Sequence, residues 1–460
     1  MRILTLGLIG LPLSSVALGQ SPYTIGPNVH VSRAHASVAF QETWIAADPR
    51  RAGHLIACAI AMPDDSFQNE FYISFDGGKS WSATLTVRPG VDPSCAIDRR
   101  GTAFAASVHD SALAGGSSYL SVQRSPDGGR TWEESKIGVN TRSTDRSYIT
   151  VDDGPGRLRD RVYVHAYLGA PRDDSGKRVP RQAVLYSSVD DGRTFGRALP
   201  VPAVDFQNPT FFPANGLITA DGSFVALVVE LDNDRKNMFL GKSDSASAPH
   251  AANGVLRLIR STDGGSTVDN LRISKVFYDW RVPQLSMASL AADRSTGPYR
   301  GRLYAAWPDA RAEWRTQILF ASSDDEGRTW SAPRIVSDGA GTLKQGGRPN
   351  HLMPMVTVNN KGIVGLSWYD RRESPNNLSY RPRFAASLSG GATWLPSVPV
   401  SASPNELTQT DKHLNGGDTA GLTADADGVF HLLWIDNRTA LPQVWTATVK
   451  VRGKVGPRRE

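Results

Sequence analysis

Ser125-Pro126-Asp127-Gly128-Gly129-Arg130-Thr131-Trp132 is one copy of an octapeptide that returns along the chain. Complete copies are Ser74-Phe75-Asp76-Gly77-Gly78-Lys79-Ser80-Trp81, Ser188-Val189-Asp190-Asp191-Gly192-Arg193-Thr194-Phe195 and Ser323-Asp324-Asp325-Glu326-Gly327-Arg328-Thr329-Trp330. A fourth site, 261–268, ends in Val268 instead of an aromatic, and the last, 387–394, has Ser389 in place of the aspartate. The residue types are those of a tight hairpin turn. An aspartate can accept backbone N–H bonds within the turn. Glycine supplies the positive φ. The hydroxyl braces the turn, and the aromatic is expected to fold back onto its own sheet.

The copies start 51, 63, 73, 62 and 64 residues apart. Each interval holds one four-stranded blade with variable loops. Before each copy lies a second pattern, an apolar strand, a turn with Asp or Gly, and another apolar strand. It occurs at 44–60, 94–108, 148–167, 217–229, 286–307, 355–368 and 420–434, seven hairpins for six octapeptides. The last unit ends with 443–451, and Asn28-Val29-His30-Val31-Ser32 resembles the strands that follow the octapeptides. The expected fold is therefore all-β, a seven-bladed β-propeller of four-stranded blades closed by the N-terminal strand. A six-bladed ring is the alternative.

The flanks are short. Arg2, the apolar run Ile3–Leu13 and the small residues Ala17-Leu18-Gly19 read as a signal peptide over 1–19, with the mature chain starting near Gln20. The propeller is expected over 20–451 as a single domain, and 452–460 forms a basic tail. A secreted or periplasmic location follows. The apolar run is too short to span a bilayer, so no membrane insertion is expected. Cys58 and Cys95 are the two cysteines, and either a disulfide or two separately buried thiols is compatible with that location.

The formal net charge is +6 at a sequence pI near 9.3, with no run of like charges of the kind that marks a nucleic-acid arm. The excess suits an acidic glycan, a uronate or sialate, and equally suits plain solubility. No cluster has metal-ligand spacing and no Gly-rich phosphate loop occurs, so no metal or other cofactor is expected.

Propeller geometry places the octapeptides on one face and the blade-to-blade links on the other, around the channel mouth. Candidate residues on that second face are Arg146, Arg281 and Arg348, each shortly before an inner strand. Arginine binds carboxylates bidentately, so these three are the substrate-binding candidates, together with Asp418. His109, His165 and Tyr167 end second strands and are candidates for proton transfer. Trp-x-Asp-x-Arg recurs at 307–311, 368–372 and 434–438, which points to a loop brace. Its Asp370, with Glu230, is still a candidate catalytic acid, since paired carboxylates perform glycoside hydrolysis.

The repeated octapeptide resembles the Asp box, or BNR repeat, of the sialidase-like superfamily, over residues ~43 to ~449. The resemblance implies a secreted sialidase-like propeller acting on extracellular glycans. A sialidase of this family also carries an Arg-Ile-Pro motif, an arginine triad, an Asp acid/base and a Tyr–Glu nucleophile pair. No Arg-Ile-Pro lies near the N-terminus here, the nearest stretch being Trp280-Arg281-Val282-Pro283. The position eight before Asp221-Gly222, where that family has its Glu, is Pro213. Three readings stay open: a glycoside hydrolase of exo-sialidase type, a non-catalytic propeller that binds glycan or protein, and a lyase of acidic polysaccharides using His, Tyr and Arg.

Overall fold

The computed structural model describes residues 20–458, except 65, 110–117, 138–143, 155, 169–181, 207–208, 233–252, 278–286, 312–314, 340–347 and 406–415. The chain is a seven-bladed β-propeller of antiparallel blades, and the six-bladed alternative is set aside by the seven sheets. Arg33–His35 forms a single helical turn, and no helix among the described residues is long and apolar enough to cross a membrane.

Blade 1 shows the plan. Its strands Ala39–Ala47, Leu55–Met62, Gln68–Ser74 and Ser82–Val87 pair in chain order. The second and third are buried along almost their whole length, because neighbouring blades cover both faces. That is why Leu55-Ile56-Ala57-Cys58-Ala59-Ile60-Ala61 is a continuous small-apolar run and not an alternation. The outermost strand is largely exposed.

The first strands of the other blades are Val91–Ile97, Thr144–Val151, Pro209–Ile218, Ser289–Ala292, His351–Val358 and Gly421–Ala424. Each packs beside the first strand of the next blade, and Gly421–Ala424 returns to Ala39–Ala47, so these seven line the axis.

The N-terminus closes the ring. Val29 and His30 pair with Thr446 and Trp445 of Leu441–Val451, as the sequence pattern suggested. A second segment, Tyr23–Ile25, continues the same edge against Val449–Val451. Blade 7 thereby gains an outer edge from the opposite end of the chain, and no inner sheet edge is left open.

The octapeptide turns are built as their residue types require. Asp76 Oδ1 accepts from the amides of Lys79 and Ser80, each at 3.0 Å, and Oδ2 accepts from Ser80 Oγ at 2.6 Å. Ser74 Oγ accepts from the Gly78 amide at 2.9 Å. The turn is left-handed at Gly77 and Gly78, with φ of 77° and 80°. The aromatic does not fold back onto its own blade, as expected from sequence, but onto the preceding one. Trp132 lies 6.5 Å from Phe71 and donates to Thr84 Oγ1, and Trp394 meets Phe320 edge-on at 5.1 Å. The octapeptide thus fastens blade to blade.

The basic tail crosses this same face. Gly456 donates to the Leu388 carbonyl at 2.9 Å, and Arg458 pairs with Asp324 at 3.0 Å, so the tail straps blades 6 and 5. Cys58 and Cys95 are free thiols buried in one cluster between blades 1 and 2.

Candidate functional site at the channel mouth

Four of the seven inner strands, those of blades 1, 2, 3 and 6, begin with an irregular step before their regular pairing. Register shifts fall between Gln41 and Thr43, Val91 and Ser94, Asp145 and Tyr148, and Leu352 and Met355. The residue inside each bulge is left-handed: Glu42 at φ 53°, Asp92 at 48°, Arg146 at 55° and Met353 at 53°. Such conformations are strained for side-chain-bearing residues and cluster at functional sites. Here the bulge turns three charged residues from blades 1, 2 and 3 toward one another.

Arg146 is the hub. Its guanidinium pairs with Asp418 from the segment entering blade 7, and its own amide donates to Asp92 Oδ2 at 2.8 Å. Its cation lies 5.3 Å from the Phe212 ring centre. Glu42 stands within hydrogen-bonding contact of Asp92, and Asp92 of Asp145. Gly417, at φ 83°, lies hard against Glu42, where an added Cβ would sit 2.8 Å from the Glu42 amide. A side chain at 417 would force blades 1 and 7 apart.

Four carboxyls around one guanidinium cannot all ionise at ordinary cost. Burial first, then the Asp418 charge, pushes Glu42 up to about 8. Burial, then Glu42 itself, pushes Asp92 up to about 6. Arg146 is held charged by Asp418 and Asp145 against the effect of its burial. Burial and mutual repulsion thus raise the proton affinity of the Glu42–Asp92 pair above the ordinary carboxylate range, with the greater push at Glu42. Trp44 and Tyr148 wall the cluster, edge to face at 5.3 Å. Glu42, Asp92, Arg146 and Tyr148 line a small cavity with room for about one water, roughly 10 Å³.

Of the residues singled out from sequence, Arg146 and Asp418 meet at this cluster. Arg348 is exposed, ahead of His351–Val358. Arg281 lies outside the described residues. The other candidates have partners that serve the fold. His165 is buried, approaches the Ala214 carbonyl through Nε2 and stacks on Tyr148 at 5.4 Å; burial lowers it to about 4, so it is neutral. His109 is buried, bonds Ser121 Oγ at 2.6 Å and stacks on Tyr119 at 4.1 Å. Tyr167 sits in the core between blades 3 and 4.

Glu230 is fully buried and accepts from the amides of Val204, Asp205 and Phe206 and from Arg257 Nε at 2.8 Å. It anchors the link from blade 3 to blade 4. Asp370 accepts from Trp368 Nε1 at 2.8 Å, from the Arg372 amide and guanidinium, and pairs with His351 at 3.1 Å. Asp309 and Asp436 do the same for Trp307 and Arg311, and for Trp434 and Arg438. Their arginines reach the preceding blade, Arg311 to the Lys275 carbonyl and Arg372 to Asp338. Trp-x-Asp-x-Arg is the loop brace that its repetition suggested.

Glu42 and Asp92 were not singled out from sequence. They occupy the same place at the start of an inner strand as Arg146, so aligning blades for acids as well as arginines would have found them.

Among solved structures the chain is similar to sialidase-type propellers at low identity. A Hadza microbial sialidase, Hz136, is 17% identical, with 87% of this chain and 74% of that chain covered at a TM-score of 0.45. The NanB sialidase of Streptococcus pneumoniae is 8% identical, with 93% and 98% covered at 0.48. A protein of unknown function from Dyadobacter fermentans is 14% identical, with 90% and 99% covered at 0.47. No protein-family model matches the chain, and no curated protein matches it in sequence.

Proposed function

We propose that the chain is a secreted glycoside hydrolase whose acid–base machinery is the carboxyl cluster at the channel mouth. The observation that carries this reading is the carboxyl cluster around Arg146, where Asp418 pairs with the guanidinium, Asp92 accepts the Arg146 amide and Glu42 lines the same cavity, with burial pushing Glu42 and Asp92 up to different degrees. Pairs pushed apart in this way divide into acid and base. Glu42, protonated at neutral pH, donates to the glycosidic oxygen as the C–O bond breaks. Asp418, paired with Arg146, stabilises the positive charge that develops on the sugar. Water then adds to the anomeric carbon, and its proton returns through Asp92 to Glu42.

Four carboxyls against one guanidinium favour a neutral sugar over the acidic glycan suggested by net charge. Arg146 is already paired, so it offers an incoming carboxylate little. The same carboxyl cluster speaks against a lyase built on His and Tyr, since His165 is buried and occupied. Export rests on the N-terminal stretch of the sequence. The cavity beside Glu42, with room for only about one water, supports the second reading, a non-catalytic propeller that binds its ligand elsewhere.

The test is hydrolysis of nitrophenyl glycosides of neutral sugars, sialic acid and glucuronic acid. Turnover of a neutral glycoside is expected, falling by about 10²–10⁴-fold in Glu42→Gln. The rate should peak between about pH 6 and 8, where Glu42 is protonated and Asp92 is not. Preferred turnover of the sialoside would move the assignment to the sialidase type. Silence on all three would leave the binding reading.

A further inference from the structure

The octapeptide face carries a groove that the channel site does not use. It lies at the seam of blades 7 and 1, with a volume of about 560 Å³, the size of a small-molecule site. Its origin is the closure of the ring. Blade 7 has no octapeptide of its own, and its outer edge comes from Tyr23–Ile25 and Val29–His30. The edge breaks between them, where Gly26 and Pro27 turn over Thr448.

Two His–Asp pairs on this face allow an internal comparison. At the seam of blades 1 and 2, His54 Nδ1 bonds Asp48 at 3.0 Å and Nε2 takes the Gly128 carbonyl at 3.0 Å, so both ring nitrogens are used. At the seam of blades 7 and 1, His431 Nε2 bonds Asp425 at 2.9 Å. Its Nδ1 has no partner among the described residues, although the ring is almost wholly buried. His431 lines the groove. Because Nε2–H donates to the Asp425 carboxylate, the neutral ring presents a lone pair at Nδ1. A buried polar atom without a partner is costly, and a ligand hydroxyl would relieve it.

The remaining lining states the ligand class. Lys79 and Lys450 are exposed donors, and Asp427 is an exposed acceptor. Asp76 is occupied by its own turn and Asp425 by His431 and two amides. Two ammoniums face three carboxylates, so the groove has no net pull on an anion. Val29, Val429, Ala52 and Ala447 supply apolar patches between the polar groups. Donors, acceptors and C–H surfaces mixed at this spacing match a sugar ring.

We infer that this groove is a second site, for a neutral saccharide of one or two rings, with His431 Nδ1 accepting a hydroxyl. It is separate from the channel mouth and lies on the other face of the ring.

The experiment is ligand-observed NMR and calorimetry on the whole chain, with glucose, galactose, N-acetylglucosamine, lactose and glucuronate as probes. At least one neutral sugar is expected to bind. Ala52→Trp, which plugs the groove from an exposed loop, should weaken it at least about tenfold. His431→Gln, which can still donate to Asp425 but lacks the ring acceptor, should weaken it in the same direction. Binding unchanged in both variants, no binding by any neutral sugar, or tighter binding of glucuronate would overturn the inference. The readout involves no turnover, so it stands or falls apart from the channel site.

Discussion

A carboxyl group in this chain means one of three things, and only its surroundings say which. Asp190 sits in an octapeptide turn, where the Thr194 hydroxyl and amide overcome the upward push of burial and hold it at about 2. Glu230 is buried against three amides and a guanidinium. Glu42 is pushed up to about 8 by burial and then by the acids around it. The last case has a consequence for stability. Glu42 and Asp92 bind protons more tightly folded than unfolded. Their contribution to stability is therefore full below the ordinary carboxylate range and is lost as pH rises through about 6 and about 8. Glu42→Gln removes the larger part of that loss. Its melting temperature should gain on the wild type steadily from about pH 5 to pH 9. A difference that stays constant across that span would show that Glu42 titrates as an ordinary surface acid.

At the scale of the element, the octapeptide is a turn and a fastener together. The sixth copy shows what its aspartate adds. Ser389 Oγ takes over part of the role, accepting from the Thr393 amide and sharing a bond with Thr393 Oγ1, both at 2.8 Å. One hydroxyl cannot reproduce a carboxylate that receives two amides and a hydroxyl, and charged acceptors bond more strongly. Ser389→Asp should therefore raise stability by about 0.5–1.5 kcal/mol, measured by denaturant unfolding. No gain, or a loss, would mean that the turn is already saturated. The turns were legible in sequence because their residue types are demanded locally, by hydrogen bonds within eight residues. The destination of Trp132 and Trp394 was not, because it depends on the neighbouring blade. The same divide explains ring closure. The strand at Val29–His30 could be read from its likeness to other outer strands, while Tyr23–Ile25, three residues with no pattern, could not.

The ring as a whole makes the site. Glu42, Asp92, Arg146 and Asp418 stand up to 376 positions apart and come from four blades. No local pattern links them; they meet because inner strands converge on one axis and those of blades 1, 2 and 3 begin with a bulge. Blade geometry alone put Arg146 and Asp418 on one face, and the structure pairs them. The acids that set their chemistry emerge only when the bulges are seen to turn inward, and Glu230 and Asp370 could be told apart from them only by their filled hydrogen bonds. The account rests on one proton held at the axis at neutral pH. Carbon-13 NMR of the glutamate side-chain carboxyls, titrated from pH 3 to 10, measures it directly. One glutamate should titrate near pH 8 and vanish from the spectrum of Glu42→Gln. If every glutamate instead titrates below about pH 5, Glu42 is ionised at neutral pH and cannot be the acid.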